Sequence, residues 1–231
     1  MVSMAESKRG CYSLLDIHDR LVIIGASGHG KVVADIARRS GRYRRLLFLD
    51  DDPAIGEAAS IPVAGDCSRA GDYLPSSDIF VAVGNAAARR RITERLLKEG
   101  ARIPALVHPQ ATVGFGVEIA SGTAVMAGAV VNADARVGRG CIINTCASVD
   151  HDCIVGDYAH IAVGAHLAGS VCIGEGTWIG AGATVINNVS VDKDITVGAG
   201  AVVTKSLHDA GVYVGVPAHP VMYRDKEGIC L

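Results

Sequence analysis

The chain has 231 residues and a formal net charge of −2, from 22 Lys and Arg against 24 Asp and Glu. This balance argues against a nucleic-acid or anionic-membrane binder, because such proteins have a clear basic excess. Hydrophobic residues make up 49% of the chain and aromatic residues only 4%, so the apolar content is mainly aliphatic, and 28 glycines indicate many turns. The seven cysteines include no CxxC pair and no zinc spacing, which predicts reduced thiols and no metal site.

Residues 1–20 are predicted to be an N-terminal extension that precedes two domains. They lack the apolar core of about 7–15 residues that a secretory signal needs. Later uncharged runs are interrupted by Gly, Asn or His, so we find no span of about 18 apolar residues to insert into a membrane. We therefore expect a cytoplasmic protein.

Residues 21–101 have the pattern of a Rossmann-like α/β domain. The segment RLVIIGASGHGKVVADIARRSG contains an aliphatic strand, a glycine-containing turn and a helix with one apolar face. Two further strands, LLFLD and IFVAVG, end at polar or glycine residues, which places three strand ends at one presumed edge. Such an edge is the usual ligand crevice, and amides at the helix N-terminus can bind phosphate. The loop GASGHG departs from the GxGxxG of dinucleotide enzymes, so an NAD site and a purely structural turn remain alternatives.

The second half of the chain has a six-residue repeat. From Val107 to Val203, an Ile, Leu or Val occupies every sixth position, seventeen times out of seventeen. If about a quarter of residues are of these types, chance gives such a run roughly once in ten billion. A period of six contains three strand periods of two and matches neither the helical nor the heptad period. Each hexad is therefore predicted to be a short strand and a turn of a coiled β structure.

Two other positions of the hexad are informative. A small residue such as Ala129 or Ala165 stands four residues after many of the aliphatic residues, and it is predicted to point inward beside them. Glycines such as Gly138 and Gly174 directly follow the aliphatic residue, where we expect a corner to use their freedom at positive φ.

The hexads VGRGCI, VGDYAH, IGEGTW, IGAGAT and VGAGAV resemble those of the hexapeptide-repeat acyltransferases. The resemblance implies a left-handed parallel β-helix with three hexads in each coil, so that seventeen hexads make nearly six coils. The left hand comes from the resemblance alone, because it is an exception to the right-handed crossover rule. A right-handed β-solenoid is the alternative fold.

A narrower resemblance rests on an ordered set of segments: GASGHGKVV, LDDD, AVGN with Arg89, INTCASVDHDCIVGDYAHIAVGAHLAG and VGVPA. Over residues 21–218 this set resembles the PglD/NeuD-like bacterial sugar acetyltransferases. The resemblance implies a nucleotide-sugar-binding domain over 21–101, a left-handed β-helix acetyltransferase domain over 102–219 and a C-terminal tail over 220–231. It also implies a homotrimer, with acetyl-CoA as co-substrate in the groove between neighbouring β-helices.

The same resemblance names a pocket for the nucleotide diphosphate sugar in the first domain. It assigns phosphate or uridine contacts to Ser27, Gly28 and His29. It adds Asp50, Asp51, Gly84 and Asn85 as lining residues of that pocket.

Acetyl transfer from a thioester requires a base that takes a proton from the attacking amine or hydroxyl, and donors for the oxyanion. Histidine suits the base because its unperturbed pKa is about 6.5. From the repeat alone, His151 and His160 project from the wall of the solenoid, and a pair of exposed turn histidines is an equal alternative. The resemblance implies that His151 is the base, with Asp152 adjusting its orientation or basicity. His166 lacks an adjacent acid and is the second choice.

The remaining site residues also follow from the resemblance. Asn144 matches a residue beside the sugar, and His160 matches one that contacts the acetyl donor. Gly169 stands eighteen residues after His151, one coil above it, and its N–H is the oxyanion candidate. Gly169, Ala181 and Ala199 are expected to form the floor of the CoA groove.

Trp178 is predicted either to stack on adenine or to pack at an interface. The other histidines of the second half, His108, His208 and His219, are expected to be structural.

The predicted activity is acetyl-CoA-dependent N-acetylation of a nucleotide-linked amino sugar, of the UDP-4-amino-sugar type. The thioester is attacked directly, without a covalent enzyme intermediate. Two alternatives remain: O-acetylation of a sugar such as sialic acid, and a non-catalytic β-helix protein that binds sugar nucleotides.

Overall fold

The computed structural model describes residues 19–221, so the predicted extension and tail lie almost entirely outside the described residues. An α/β part comes first and a parallel β-solenoid follows it, as the repeat and the resemblance predict. Within the described range, none of the helices is long and apolar enough to cross a lipid bilayer.

The α/β part is built on a parallel sheet with the strand order β2-β1-β5. Its elements are β1 (Arg20–Ile24), α1 (Gly28–Arg39), β2 (Arg45–Leu49), β3 (Glu57–Ala58), β4 (Ile61–Pro62), a 3₁₀ helix (Cys67–Ser76), β5 (Asp78–Val81) and α2 (Ala86–Lys98). Side chains of β1 alternate between two apolar clusters: Leu21 and Ile23 pack with residues of α1, and Val22 and Ile24 pack with Leu96 of α2. The sheet is therefore covered by helices on both faces, which explains its continuous aliphatic strands.

The solenoid consists of two- to four-residue strands that stack in parallel on three faces. Face one contains β6 (Leu106–Val107), β9 (Ala124–Val125), β12 (Ile142–Ile143), β15 (His160–Ile161), β18 (Trp178–Ile179), β21 (Ile195–Val197) and β23 (Gly211–Val214), with β24 (His219–Pro220) antiparallel at its end. Face two contains β7 (Thr112–Val113), β10 (Val130–Val131), β13 (Ser148–Val149), β16 (His166–Leu167), β19 (Thr184–Val185) and β22 (Val202–Val203). Face three contains β8 (Glu118–Ile119), β11 (Arg136–Val137), β14 (Ile154–Val155), β17 (Cys172–Ile173) and β20 (Ser190–Val191).

Strands on one face are in register every eighteen residues, as in the pairs Ile142↔His160 and His160↔Trp178. We call the turn from face one to face two the first corner, the turn from face two to face three the second corner, and the turn back to face one the third corner. The aliphatic residue of each hexad from Val125 to Val203 is buried, as are the small residues predicted beside them. Val113 is 42% exposed, because it belongs to the end coil and has no coil beneath it.

The prediction that glycines such as Gly138 and Gly174 adopt positive φ at the corners was wrong. Left-handed φ values recur at every sixth residue from Gly116 to Gly200, three residues after the aliphatic position. Gly138 and Gly174, which directly follow an aliphatic residue, do not have such φ values. A Cβ at Gly174 would lie 2.4 Å from the backbone N of Lys193, so these glycines are required because successive coils approach closely.

The α/β part packs directly against the lower half of face one. The outward side chains Leu106, Ala124 and Ile142, together with Met126, belong to the same apolar cluster as the inner face of α1. Polar contacts flank this cluster, among them the Tyr158 hydroxyl, which donates to Glu94 Oε1 over 3.1 Å. The two parts therefore share a core, and the space between them has fixed walls.

We predict that Gly174→Ala destabilises the solenoid by about 1–3 kcal/mol, because its methyl group meets backbone atoms of the next coil, which can move little. Thermal unfolding of a chain of this size should then begin roughly 2–4 °C lower for each kcal/mol lost.

Gly200→Asn is the matched control, since Gly200 has φ +67 and a Cβ at this position would meet no atom within 4 Å. Asparagine tolerates the left-handed region, so this variant should lose less than about 1 kcal/mol. Equal losses in both variants would show that the close approach between coils is not what makes glycine necessary at 174.

Candidate active site

A cleft of about 230 Å³ lies between the start of α1 and the first corner of the solenoid. Five of the predicted site residues line it: Gly28, His29, Gly84, Asn144 and His160. Apolar side chains complete the wall: Val32, Met126 and Ile142. The structure thus brings together one end of the predicted nucleotide pocket and the predicted sugar site.

The N-terminal turn of α1 is open to the cleft. The N-cap residue, Ser27, makes no side-chain capping hydrogen bond, and both Ser27 and Gly28 are exposed. The first N–H groups of a helix have no acceptor within the helix and lie at the positive end of its dipole. This turn can therefore accept a phosphate oxygen, and a Cβ on Gly28 would meet no atom within 4 Å.

The other predicted lining residues hold the loops around the cleft but do not line it. Asp50 accepts from the N–H of Ala26 over 2.6 Å and from the N–H of Asp52 over 2.9 Å. Asp51 accepts from the N–H of Cys67 over 2.8 Å. Asn85 caps α2, where its Oδ1 accepts from the N–H of residue 88 over 2.9 Å.

His29 is the more deeply enclosed of the two cleft histidines. Its Nε2 is buried and has no hydrogen-bond partner within the described part of the chain. Burial lowers the pKa of His29 to about 4, with smaller contributions from Arg89 and His160. A buried polar atom without a partner costs free energy, so its position in a cleft indicates that a ligand completes its hydrogen bonding.

On the opposite wall, Asn144 fixes the state of His160. Asn144 Oδ1 accepts from the N–H of Thr145 over 2.8 Å, which leaves its Nδ2 to donate to His160 Nε2 over 3.0 Å. Nε2 must then be an acceptor, so the ring is neutral with its proton on Nδ1. Burial, followed by the charge of Arg89, lowers the pKa of His160 to about 4, in agreement with this assignment. Trp178 stacks on the same ring, with 5.7 Å between the centroids and 1° between the planes.

His151 and Asp152 form the tip of the second corner. Asp152 occupies one of the left-handed positions, with φ 59, and its Oδ2 lies 2.8 Å from His151 Nδ1. The N–H of His151 donates to Asp150 Oδ1 over 2.8 Å, and the same oxygen accepts from Asn132 Nδ2 over 2.8 Å. The hydrogen bond with Asp152, and then the charge of Asp150, raise the pKa of His151. Because Nδ1 donates to the carboxylate, Nε2 is the basic atom.

Gly169 lies directly beside the His151 ring. A Cβ at this position would be 2.6 Å from both Cε1 and Nε2 of the imidazole, so any larger residue would displace the ring from this position. Among residues 19–221, the Gly169 N–H has no hydrogen-bond acceptor. The residue that contacts the imidazole thus has an N–H free to donate, which is consistent with the predicted oxyanion role of Gly169.

The structure separates the predicted residues into two groups on different corners. Asn144 lies at the first corner, and so do the exposed Ala181 and Ala199. His151 and Gly169 lie at the second corner, which is on the order of 20 Å away along face two. A single chain therefore does not bring the predicted base to the cleft.

Three of the other described histidines have local partners. His166 is exposed on face two, and its Nδ1 lies 2.8 Å from Ser148 Oγ. His108 is buried, and its Nε2 lies 3.8 Å from Asp35 Oδ2. His208 pairs with Asp192 at 3.2 Å, and His219 is exposed in β24. In residues 19–221, no cluster of His, Cys, Asp or Glu is arranged to hold a metal ion.

Sequence reasoning missed the apolar wall of the cleft and gave no role to Arg89. A signal for the wall was present, since Leu106, Ala124 and Ile142 are outward residues eighteen positions apart and are all apolar. Outward positions of an exposed face are polar more often, so this spacing indicates a covered face. Arg89 was named with AVGN among the segments of the resemblance, but that match implied no role for it.

Known proteins resemble this chain in sequence. A family model described as the PglD N-terminal domain matches residues 20–96. The UDP-N-acetylbacillosamine N-acetyltransferase of Bacillus subtilis (strain 168) is 35% identical over 110 residues, which is 46% of this chain and 51% of that relative's length. The match therefore spans about half of that relative.

Two solved structures match nearly the whole chain. The acetyltransferase domain of PglB from Neisseria gonorrhoeae FA1090, in complex with acetyl coenzyme A, has a TM-score of 0.85 and 43% identity, covering 88% of this chain and 100% of that one. PerB from Caulobacter crescentus, in complex with CoA and GDP-perosamine, has a TM-score of 0.82 and 38% identity, covering 87% and 96%.

The chain belongs to the PglD-like family of sugar acetyltransferases. The predicted family and the predicted left-handed β-helix fold after a Rossmann-like part are confirmed. The predicted enzyme class, an acetyl-CoA-dependent sugar N-acetyltransferase, is confirmed at the level of the family. The roles of individual residues in this PglD-like chain remain predictions.

We predict that Asp152→Asn moves the acidic limb of the pH profile of kcat/KM to lower pH. The Asp152 carboxylate is the first cause of the raised pKa of His151, so its removal lowers the pH at which the neutral, basic form appears. The rate at high pH should fall as well, but by less than in His151→Ala, because the ring is present but less well oriented.

Asp194→Asn is the control for this variant. Asp194 is also an exposed aspartate at a left-handed corner position, with φ 58, but it lies at the third corner. Its pH profile should match that of the unaltered protein. If Asp152→Asn also leaves the limb in place, Asp152 serves only the turn.

Proposed function

We propose that this protein transfers the acetyl group of acetyl-CoA to the amine of a UDP-linked 4-amino sugar, with His151 as the general base. The observation that carries the proposal is the arrangement at the second corner. His151 is anchored through Nδ1 by Asp152, and its Nε2 lies beside the unpaired N–H of Gly169.

The chemistry assigned to each group follows from this geometry. His151 Nε2 removes a proton from the amine as the amine nitrogen attacks the thioester carbonyl. The Gly169 N–H donates to the oxygen that becomes negatively charged in the tetrahedral intermediate. When the carbon–sulfur bond breaks, the imidazolium returns the proton to the departing thiolate, so the products are the amide and free CoA. No enzyme nucleophile is needed.

The cleft is proposed to hold the acceptor. Diphosphate oxygens would meet the open N-terminus of α1 at Gly28, and the sugar would extend toward Asn144. His160 keeps a proton on Nδ1 and so offers a neutral donor on the same wall. Asp51 remains a candidate contact for the nucleoside, while the hydrogen bonds of Asp50 assign it to holding the loop.

We propose that the acceptor is an amine and the nucleotide is UDP. The support for an amine is that relatives of this chain are N-acetyltransferases by name. The support for UDP is the Bacillus relative, named for a UDP sugar, whereas PerB was solved with a GDP sugar. O-acetylation of a sugar and GDP recognition are therefore the outcomes that the assay must separate.

We propose that the active unit is a homotrimer in which His151 of one chain reaches the cleft of its neighbour. A cyclic assembly joins two different patches of the same chain, which here are the first and second corners. Both corners have exposed apolar side chains, Val163 with 51% and Ile186 with 36% of its surface exposed. Such contact would also place Ala181 and Ala199 opposite Gly169, with room between them for a pantetheine arm.

A thiol-release assay with acetyl-CoA tests the reaction. UDP- and GDP-linked 4-amino sugars and their 4-hydroxy counterparts are supplied in parallel, and we expect turnover with the UDP-linked amine. His151→Ala should lower kcat by about a hundredfold or more, the usual scale for a general base. His208→Ala is the matched control and should retain full activity. Near-normal turnover by a folded His151→Ala protein would exclude His151 as the base.

Mixing two inactive variants tests the shared site. If His151 acts on the neighbour's cleft, co-expression of His151→Ala with Asn144→Ala should restore activity, because about a quarter of the sites in random trimers then combine both intact residues. If the two residues act within one chain, every site lacks one of them and the mixture stays inactive. Each variant expressed alone provides the baseline.

A further inference from the structure

Arg89 is a fully buried arginine that the proposed reaction does not use. It lies in the first turns of α2 and is 1% exposed. Among residues 19–221, its guanidinium is within reach of no carboxylate; it donates instead to four backbone carbonyls. Buried arginines are ordinarily paired with an acid, because an uncompensated charge is costly to bury.

The four carbonyls belong to the two sides of the cleft. Nη1 donates to Val83 O over 2.9 Å and to Gly84 O over 2.7 Å, at the end of the α/β sheet. Nε donates to Gly140 O over 2.7 Å, and Nη2 donates to Tyr158 O over 2.7 Å, at the third corner of the solenoid. One side chain therefore ties together the two parts of the chain.

Each of these carbonyls belongs to a residue that lines the cleft or that comes one or two positions before a lining residue. Gly84 lines the cleft itself. Gly140 and Tyr158 come two residues before Ile142 and His160, the wall residues contributed by face one. Together with the shared apolar cluster, Arg89 consequently holds the wall of Gly84 and His29 at a fixed distance from the wall of His160.

The positive charge of Arg89 also acts inside the cleft. Burial lowers the pKa of Arg89 to about 10, so it stays cationic at neutral pH. Arg89 and His160 are the ionisable groups that act on His29, and Arg89 is the one that acts on His160. Of the residues that the structure describes, those lining the cleft include no acidic side chain. An acid-free cleft over a buried cation has a positive potential that favours an anionic ligand.

We propose that Arg89 is a positioning residue that fixes the width of the cleft and supplies its permanent positive charge, for which the diphosphate of the sugar nucleotide is the counter-ion. The identity of the counter-ion, the diphosphate, rests on the proposed function. The hydrogen bonds of Arg89 to the two walls and the neutral state of His29 and His160 do not depend on that function.

Three proteins test the proposal: Arg89→Met, which removes the charge, Arg89→Lys, which keeps the charge but cannot reach four carbonyls, and the control Arg91→Met. Arg91 is exposed two residues further along α2, so this control removes the same charge from the same helix. Thermal unfolding establishes that each protein is folded.

The first measurement is an NMR titration of the imidazoles of His29 and His160 without ligand. In the unaltered protein and in Arg91→Met, we expect both rings to stay neutral down to about pH 5, given a pKa of about 4 for each. Arg89→Met should raise both values, because a neighbouring cation no longer opposes protonation. Addition of UDP to the unaltered protein should raise them as well.

The second measurement is the affinity for UDP, by calorimetry between pH 5.5 and 8. Arg89→Met should bind UDP about tenfold or more weakly at pH 8, the effect of one lost charge interaction near a partly buried site. Its affinity should recover as the pH falls, since the histidines then protonate and replace the missing charge. The unaltered protein should show a nearly flat profile.

Arg89→Lys separates the two roles. It should keep low histidine pKa values and bind UDP, yet its KM for the sugar nucleotide should rise because the walls are no longer tied. Full activity in Arg89→Lys would overturn the positioning role. Loss of UDP binding in a folded Arg89→Lys protein would overturn the charge role.

If Arg89→Met does not fold, the titration of the unaltered protein still tests the charge role, and Arg89→Lys tests the positioning role. Ordinary histidine pKa values near 6.5 in the unaltered protein would overturn the charge role. So would a folded Arg89→Met protein with unchanged UDP affinity. Failure of the proposed function can be distinguished from failure of the Arg89 proposal. It would appear as an absence of thiol release in the unaltered protein, and it would leave the ligand-free titration unchanged.

Discussion

The eighteen-residue register of the solenoid is the constraint on which the rest of the structure depends. It places His160 above Ile142 and Trp178 above His160, so one face has a continuous wall of defined composition. The same register puts Gly169 against the ring of His151. The wall of the cleft and the contact between His151 and Gly169 both belong to coils whose strands are only two residues long. These strands are rigid because each one is hydrogen-bonded to the coils above and below.

The α/β part depends on this register in turn. It covers the lower half of face one, where the outward residues are apolar, and within residues 19–221 its apolar cluster does not extend to the upper half. The cleft forms at the boundary, where the open end of α1 faces Asn144 and His160. The Arg89 side chain crosses this boundary. Among the described residues, its guanidinium bonds to four backbone carbonyls and to no carboxylate, which leaves its positive charge available to a ligand.

Two kinds of histidine result from these surroundings. His29 and His160 are partly buried near a cation, and their pKa values fall to about 4. His151 is exposed between two carboxylates, and its pKa is raised. Neutral rings suit hydrogen bonding to a substrate, whereas a carboxylate-supported ring suits proton removal near neutral pH. All three are the same residue type, and only their neighbours distinguish them.

The sequence by itself determined the solenoid, because an aliphatic residue at every sixth position permits only one inward-facing period. It also determined the strand–turn–helix start of the α/β part and, by resemblance, the family. Tertiary structure decided what local pattern does not encode. Gly138 and Gly174 are required by the approach of the next coil, Asp50 holds a loop, and Arg89 donates to the carbonyls of Gly140 and Tyr158. These features depend on distances between residues far apart in the chain, and a one-dimensional pattern contains no such distances.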